Sequence, residues 1–240
     1  MKRSSELYVP LGTEGVPNAA AASGTSNGTT ALVYRADGDA PASLILGHGA
    51  GAGQRSAFMT AFAGSIAALA IDVVTFDFQY ITAKRRMPDR GPVLEACYRD
   101  VIATVREHLD SSRRSLFIGG KSMGGRVATQ VAAADPHLPV TGLVLLGYPL
   151  HPPGRASQLR AAHLPAIARP MLFVQGSRDT FGTPSELGPV LASLAPAPVL
   201  HVVDGGDHSL KVSRNPQVQA AAYDDVQRTI VRWMESVIER

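Results

Sequence analysis

Leu116-Phe117-Ile118-Gly119-Gly120-Lys121-Ser122-Met123-Gly124-Gly125-Arg126-Val127-Ala128-Thr129-Gln130-Val131-Ala132 carries the most information of any stretch in the chain. Leu116 to Gly119 reads as a short buried strand, and Gly125 onward reads as the opening of a helix. Between them lies Gly120-Lys121-Ser122-Met123-Gly124, of the form Gly-x-Ser-x-Gly. A serine at so sharp a strand-to-helix turn is forced into an unfavourable backbone geometry, so small neighbours are needed on both sides. The hydroxyl is then exposed beside the positive end of a helix, where an oxyanion can be held. Ser122 is therefore a candidate nucleophile, and the remaining sequence must supply its partners.

Working outward, strands and helices alternate. Ser43–Leu46, Val73–Phe78, Gly142–Leu146, Met171–Val174 and Val199–Val203 read as strands. Helical stripes run through Phe58, Phe62, Ile66 and Leu69, and through Leu94, Cys97, Tyr98, Val101, Ile102, Val105 and Leu109. Thr183-Pro184-Ser185-Glu186 has the capping-box form, and a last helix starts at Asn215-Pro216 with Val218, Ala222, Val226, Ile230, Trp233 and Val237 on one face. Short apolar strands between amphipathic helices predict an α/β domain with a mainly parallel sheet covered on both faces. Residues 6–10 and 30–34 read as two antiparallel edge strands. Residues 12–30 are rich in Gly, Ala, Ser, Thr and Asn and read as a flexible connection. Residues 149–170 hold five prolines and read as a short insertion near the active site. No repeat or second domain is visible, so residues 1–240 form one domain.

Composition excludes several classes. The chain has 240 residues, 45% hydrophobic and 18% charged, with a net charge of +3. Its basic residues are scattered, which gives no nucleic-acid footprint. The single cysteine, Cys97, allows no intrachain disulfide and lies on an apolar helical stripe, as a buried small hydrophobe would. The N-terminus has basic residues without an apolar stretch behind them, and no run approaches the ~20 apolar residues that span a bilayer. The expectation is a soluble cytoplasmic protein.

A serine needs a histidine to take its proton and a carboxylate to orient that histidine. In parallel sheets such groups collect at the carboxyl ends of strands. His208 follows a strand directly in Asp204-Gly205-Gly206-Asp207-His208, and is chosen as base over the six other histidines. Asp179 follows the strand ending at Val174 and is chosen as acid over Asp77, Asp204 and Asp207. The order Ser122, Asp179, His208 belongs with one particular fold. The turn Gly47-His48-Gly49-Ala50-Gly51-Ala52-Gly53 follows another strand. Its Ala50 N–H, with that of Met123, would form the oxyanion hole. His48 would brace that turn. His48, Gly49, Lys121 and Phe181 are candidate pocket residues, and Met123 is a further apolar lining.

These segments resemble the α/β-hydrolases, close to the dienelactone-hydrolase-like branch. The resemblance covers nearly everything from about residue 30 and rests on His48-Gly49-Ala50-Gly51, Gly120–Arg126 and Tyr148-Pro149-Leu150-His151-Pro152-Pro153-Gly154. It reaches a little-characterised subgroup with eukaryotic relatives, among them a subunit of a chromatin acetyltransferase assembly. The resemblance implies a single-domain α/β-hydrolase fold with nucleophile Ser122, acid Asp179 and base His208, and the short 149–170 connection predicts a minimal lid. Dienelactone hydrolases proper use cysteine where this chain has Ser122.

Two rival motifs fail. A phosphate-binding loop needs glycine five positions before Gly120, where Ser115 stands. Gly47-x-Gly49-x-x-Ala52 imitates a dinucleotide fingerprint but lacks the acidic residue about 20 positions on. Lys121, Arg126, Arg155, Arg160, Arg178 and Lys211 cluster near the motifs, either as an electropositive mouth favouring anionic acyl substrates or as solvated surface charge. The expected function is serine hydrolysis of carboxylic esters, lactones or thioesters, with a catalytically weak binding or scaffold protein as the alternative. No metal or organic cofactor is required. The expected partner is a small ester or acyl substrate, with no nucleic acid, no membrane, and a homodimer left open.

Overall fold

A computed structural model of the chain describes residues 4–12 and 28–240. Eight strands, β1 (Ser5–Pro10), β2 (Gly28–Tyr34), β3 (Ser43–Gly47), β4 (Asp72–Phe76), β5 (Leu116–Lys121), β6 (Gly142–Leu146), β7 (Met171–Gly176) and β8 (Val199–Val203), form one sheet in the order β1-β2-β4-β3-β5-β6-β7-β8. β1 pairs antiparallel with β2, and β2 antiparallel with β4; every other pairing is parallel. The helices are α1 (Ala57–Ala67), α2 (Gln79–Thr82), α3 (Gly91–His108), α4 (Asp110–Arg114), α5 (Met123–Ala134), α6 (Pro184–Leu191) and α7 (Pro216–Ile238).

The strand sequences explain the layering. β3, β4 and β6 are buried at every position, as the mainly apolar strands of a sheet covered on both faces must be. Their side chains alternate between two cores. Ile45, Leu143 and Leu145 join Tyr98, Val101 and Val131 of α3 and α5 on one face. Leu44, Leu46 and Val144 join Phe62, Ile66, Ile230 and Trp233 of α1 and α7 on the other. The single-turn helices α2 and α4 escape the sequence reading because four or five residues cannot display a 3.6-residue period.

Two sequence expectations need correction. β1 is an edge strand, whereas β2 lies between β1 and β4. The connection assigned to 12–30 is shorter, since Gly28–Thr30 belong to β2 and Gly12 donates its N–H to Asp100 Oδ2 at 3.0 Å. Small polar residues looked like a linker, but Thr29 is buried and its hydroxyl donates to the Asp77 carbonyl at 2.7 Å. Residues 13–27 of that expectation lie outside the described residues. The 149–170 segment carries only a 3-10 turn at Leu164–Ala166. It is tied down by the Tyr148 hydroxyl, which donates to the Arg160 carbonyl at 2.7 Å, and by the Arg160 N–H, which donates to the Leu150 carbonyl at 2.7 Å.

Tyr98 fixes the backbone under the serine. Its hydroxyl is buried between β3 and β5, 2.7 Å from the Gly119 carbonyl and 3.1 Å from that of Ile45, and it accepts the Gly119 N–H at 3.0 Å. Tyr98→Phe leaves a buried N–H without its partner, at an expected cost of about 1–3 kcal/mol. The midpoint of thermal unfolding is expected to drop by about 2–4 °C for each kcal/mol lost. An unchanged midpoint would show that the hydroxyl has no structural role.

Candidate active site

β5 ends and α5 begins around Ser122, whose backbone sits at φ 50° and ψ −114°. For a non-glycine residue such a conformation costs about 1–3 kcal/mol and persists only where the surroundings impose it. They do so here by close packing against β3. A Cβ added at Gly120 or at Gly124 would each lie 2.2 Å from the Gly47 carbonyl oxygen. Glycine at both positions is therefore a steric requirement of the turn. The Ser122 N–H donates to the Leu146 carbonyl of β6 at 2.9 Å, which holds the turn against the sheet.

The three residues singled out as nucleophile, base and acid come together in space. Ser122 Oγ lies 2.8 Å from His208 Nε2, and His208 Nδ1 lies 2.8 Å from Asp179 Oδ2. Ser122 follows β5, Asp179 follows β7 and His208 follows β8, so all three sit at carboxyl ends of strands. A carboxylate only accepts, so Nδ1 carries the imidazole proton and Nε2 is left to accept from the serine hydroxyl. Asp179 is fully buried. Besides His208, it accepts the Phe181 N–H at 2.8 Å and an amide N–H of Gln175 at 2.8 Å. The Phe181 ring stacks on the His208 imidazole at 4.0 Å between centroids. This arrangement can draw a proton from Ser122 while keeping the imidazole's orientation fixed.

The rival residues are engaged elsewhere. Asp77 accepts the Gln54 N–H at 2.7 Å, and Asp204 accepts the Gly205 N–H at 3.0 Å. Asp207 accepts the Ser209 N–H at 2.7 Å. His201 faces Asp225 of α7 at 3.6 Å, and His108 bonds the Thr104 carbonyl of its own helix. Cys97 is buried, and burial pushes its thiol up to about 12.

A cavity of about 290 Å³ opens at Ser122 and His208. Gly49, Ala50 and Met123 line it, and so do Lys121 and Phe181. Met123 is the first residue of α5, and the first N–H groups of a helix have no intrahelical partner. His48, expected among the pocket residues, does not line the cavity. It is fully buried behind the turn, where its Nδ1–H donates to the Gly49 carbonyl at 2.8 Å and its Nε2 accepts the Phe78 N–H at 3.2 Å. Both ring nitrogens are occupied in bracing the turn, so the imidazole has no atom to offer a ligand.

Of the six cations near the motifs, Lys121, Arg126 and Arg160 line the cavity, and Arg155, Arg178 and Lys211 do not. Arg178 Nε donates to the Gly205 carbonyl at 2.8 Å. Burial pulls the Lys121 ammonium down from its usual value, against an opposing pull from Asp179 and Asp207. Its Nζ lies 3.4 Å from the His208 carbonyl. Among the described residues no cluster of three or more His, Cys, Asp or Glu is placed to hold a metal ion. No helix among them is long and apolar enough to cross a membrane.

Sequence reasoning missed Gln175. Its fully buried amide donates to Asp179 Oδ2 and to the Gly182 carbonyl at 2.7 Å, and accepts the Tyr148 N–H at 2.8 Å. The one available signal was a glutamine directly following the apolar run Met171-Leu172-Phe173-Val174.

One buried and one half-buried imidazole, His48 and His163, make stability depend on pH. Burial lowers the His48 pKa, opposed by its bond to Gly49 and by Asp77. Burial and then the Arg126 charge lower His163 to about 4. The unfolded chain takes up these protons near the ordinary value of about 6.5. Between about pH 6.5 and 4 the unfolded state therefore binds more protons than the folded one, and stability rises with pH. The contribution is complete above pH 6.5 and is lost as the pH falls toward 4. Thermal midpoints are expected to drop across that window, and His163→Gln is expected to flatten part of the slope. A variant with the wild-type slope would remove His163 from the account.

A family model described as an alpha/beta hydrolase domain matches residues 40–235. Solved structures share the architecture at low identity. The lidless α/β serine hydrolase XC6422 from Xanthomonas campestris superposes with a TM-score of 0.71 at 20% identity, over 96% of this chain and 95% of that one. A dienelactone hydrolase from Anabaena variabilis gives 0.68 at 16% identity, over 94% and 96%. Est1E from Butyrivibrio proteoclasticus gives 0.67 at 12% identity, over 94% and 99%.

Proposed function

The chain belongs to the α/β-hydrolase domain family, and on that premise we propose that it is a serine hydrolase cleaving carboxylic esters, lactones or thioesters through an acyl-enzyme on Ser122. The observation that carries the reading is the chain of 2.8 Å contacts from Ser122 Oγ through His208 to Asp179. Ser122 Oγ attacks the carbonyl carbon while His208 Nε2 takes its proton. The imidazolium is held by Asp179, whose carboxylate is fixed by the two other bonds it accepts, from the Phe181 N–H and the Gln175 amide. The N–H groups of Met123 and Ala50 stabilise the negative oxygen of the tetrahedral intermediate. His208 then protonates the departing alcohol or thiol, and the acyl group stays on Ser122. Water, deprotonated by the same imidazole, attacks the acyl-enzyme, releases the carboxylic acid and restores the serine.

A cavity of about 290 Å³ bordered by a segment with a single 3-10 turn suits small or exposed acyl groups rather than long lipid chains. Serine in place of the dienelactone hydrolases' cysteine argues against dienelactone itself as the substrate. A fluorophosphonate probe tests the reading. The folded wild type is expected to be labelled at Ser122, and a folded wild type that resists labelling would instead favour a scaffold that keeps the fold without turnover.

A further inference from the structure

Arg126 lies on α5 four residues after Ser122, one helical turn along the face that begins at the nucleophile. Arg160 arrives from the 149–170 segment, with its backbone held by Leu150 and Tyr148. Both line the same cavity as Ser122. Arg126 Nε is buried and has no hydrogen-bond partner. Among the described residues, no ion pair or side-chain hydrogen bond engages either guanidinium. Burial, and after it the Arg126 charge, lowers the pKa of Arg160, and the same two causes lower His163. Asp179, the acidic residue nearest the reaction centre, is already saturated by His208, Gln175 and Phe181. Two neighbouring guanidiniums without a carboxylate, one with a dry unmatched donor, are unfavourable for folding unless something else takes their hydrogen bonds. Guanidinium forks match planar oxyanions, and a half-enclosed cavity strengthens that attraction.

We propose that Arg126 and Arg160 form an anion subsite that selects substrates carrying an oxyanion group, carboxylate or phosphate, in addition to the bond attacked by Ser122. The inference rests on the serine-hydrolase reading and narrows its substrate class to small acyl compounds with a negative charge of their own. Lys121, on the Ser122 side of the same cavity, adds to the positive field without contributing a fork.

The test compares 4-nitrophenyl hydrogen glutarate with the neutral 4-nitrophenyl butyrate. The wild type is expected to favour the anionic ester in kcat/KM, by about tenfold or more if one charged hydrogen bond is gained. In Arg126→Gln and in Arg160→Gln the ratio of the two kcat/KM values is expected to fall by about tenfold, mainly through KM, with Arg126→Lys and Arg160→Lys in between. Added salt is expected to lower the wild-type ratio, since screening weakens a partly exposed subsite. Thermal unfolding of each variant separates a folding defect from a lost contact. Glutarate and inorganic phosphate, each tested for slowing fluorophosphonate labelling, distinguish the two oxyanions: stronger protection by glutarate assigns a carboxylate, and stronger protection by phosphate assigns a phosphoryl group. Intact labelling with a ratio near one, no protection by either anion and no response to Arg126→Gln would overturn the subsite alone. Absence of labelling would overturn the hydrolase reading beneath it.

Discussion

Ser122→Ala is expected to abolish fluorophosphonate labelling and to lower kcat toward an ester substrate by about 10⁶-fold, the loss seen when a serine nucleophile is removed from a complete catalytic set. The substitution deletes one oxygen and little else. Among the described residues, the hydroxyl bonds His208 Nε2 alone, at 2.8 Å. Alanine suits the backbone no worse than serine, because both carry a Cβ at φ 50°. The fold is therefore expected to survive, with a thermal midpoint close to that of the wild type. That combination gives the experiment its force. A folded protein with full activity would move the nucleophile elsewhere and sink the proposed mechanism. A loss of only tenfold would point to water attacking directly, with His208 as base and no acyl-enzyme.

The magnitude also separates enzyme from scaffold. A factor of 10⁶ corresponds to about 8 kcal/mol of transition-state stabilisation. A binding protein that merely retains the geometry would show no such difference between Ser122 and alanine, whatever ligand it holds. Strain supports the catalytic reading from another side. A non-glycine residue at φ 50°, packed so tightly that two flanking glycines admit no Cβ, is kept in place at a cost. A neutral scaffold would be free to relax it.

The elements legible in the sequence were those with a local signature. The turn at Gly120–Gly124 could be read because its steric demand fixes glycines at set positions. The parallel sheet could be read because short apolar runs alternate with amphipathic helices, and the choice of His208 and Asp179 followed from strand ends together with the order Ser122, Asp179, His208. What escaped depends on contacts between distant segments. Thr29 and Thr30 look like linker until β1 and Asp77 supply their partners. His48 reads from the sequence both as a brace for its glycine turn and as a pocket residue, and the Phe78 N–H, thirty residues on, shows why it faces inward. Gln175 and Tyr98 are single polar groups inside apolar patterns, where periodicity registers them as noise. The three cavity cations could not be sorted from the three surface ones, because 149–170 has no periodicity from which to place Arg160.

Asp179→Asn is expected to lower kcat by about 10⁴-fold while leaving the protein folded, the loss associated with a histidine held in the wrong tautomer. The carboxylate accepts from three directions: His208 Nδ1 at 2.8 Å, the Phe181 N–H at 2.8 Å and the Gln175 amide at 2.8 Å. Asparagine replaces one acceptor oxygen by a donor. The Phe181 N–H is a backbone group and cannot turn, so the remaining oxygen is expected to stay with it. The new NH₂ then faces His208 and Gln175. His208 Nδ1, closer to the Oδ2 position at 2.8 Å than to Oδ1 at 3.0 Å, meets the new donor and is expected to shift its proton to Nε2, where it points at Ser122 instead of accepting from it. The base is thereby lost without removal of a single heavy atom. Gln175 has an escape that His208 lacks, because its amide already donates to the Gly182 carbonyl at 2.7 Å. KM is expected to change little, since Asp179 is fully buried and does not line the cavity. A kcat within tenfold of the wild type, in a variant with an undisturbed thermal midpoint, would mean that Asp179 only packs beneath the imidazole and that the proton on Nδ1 is set by something else.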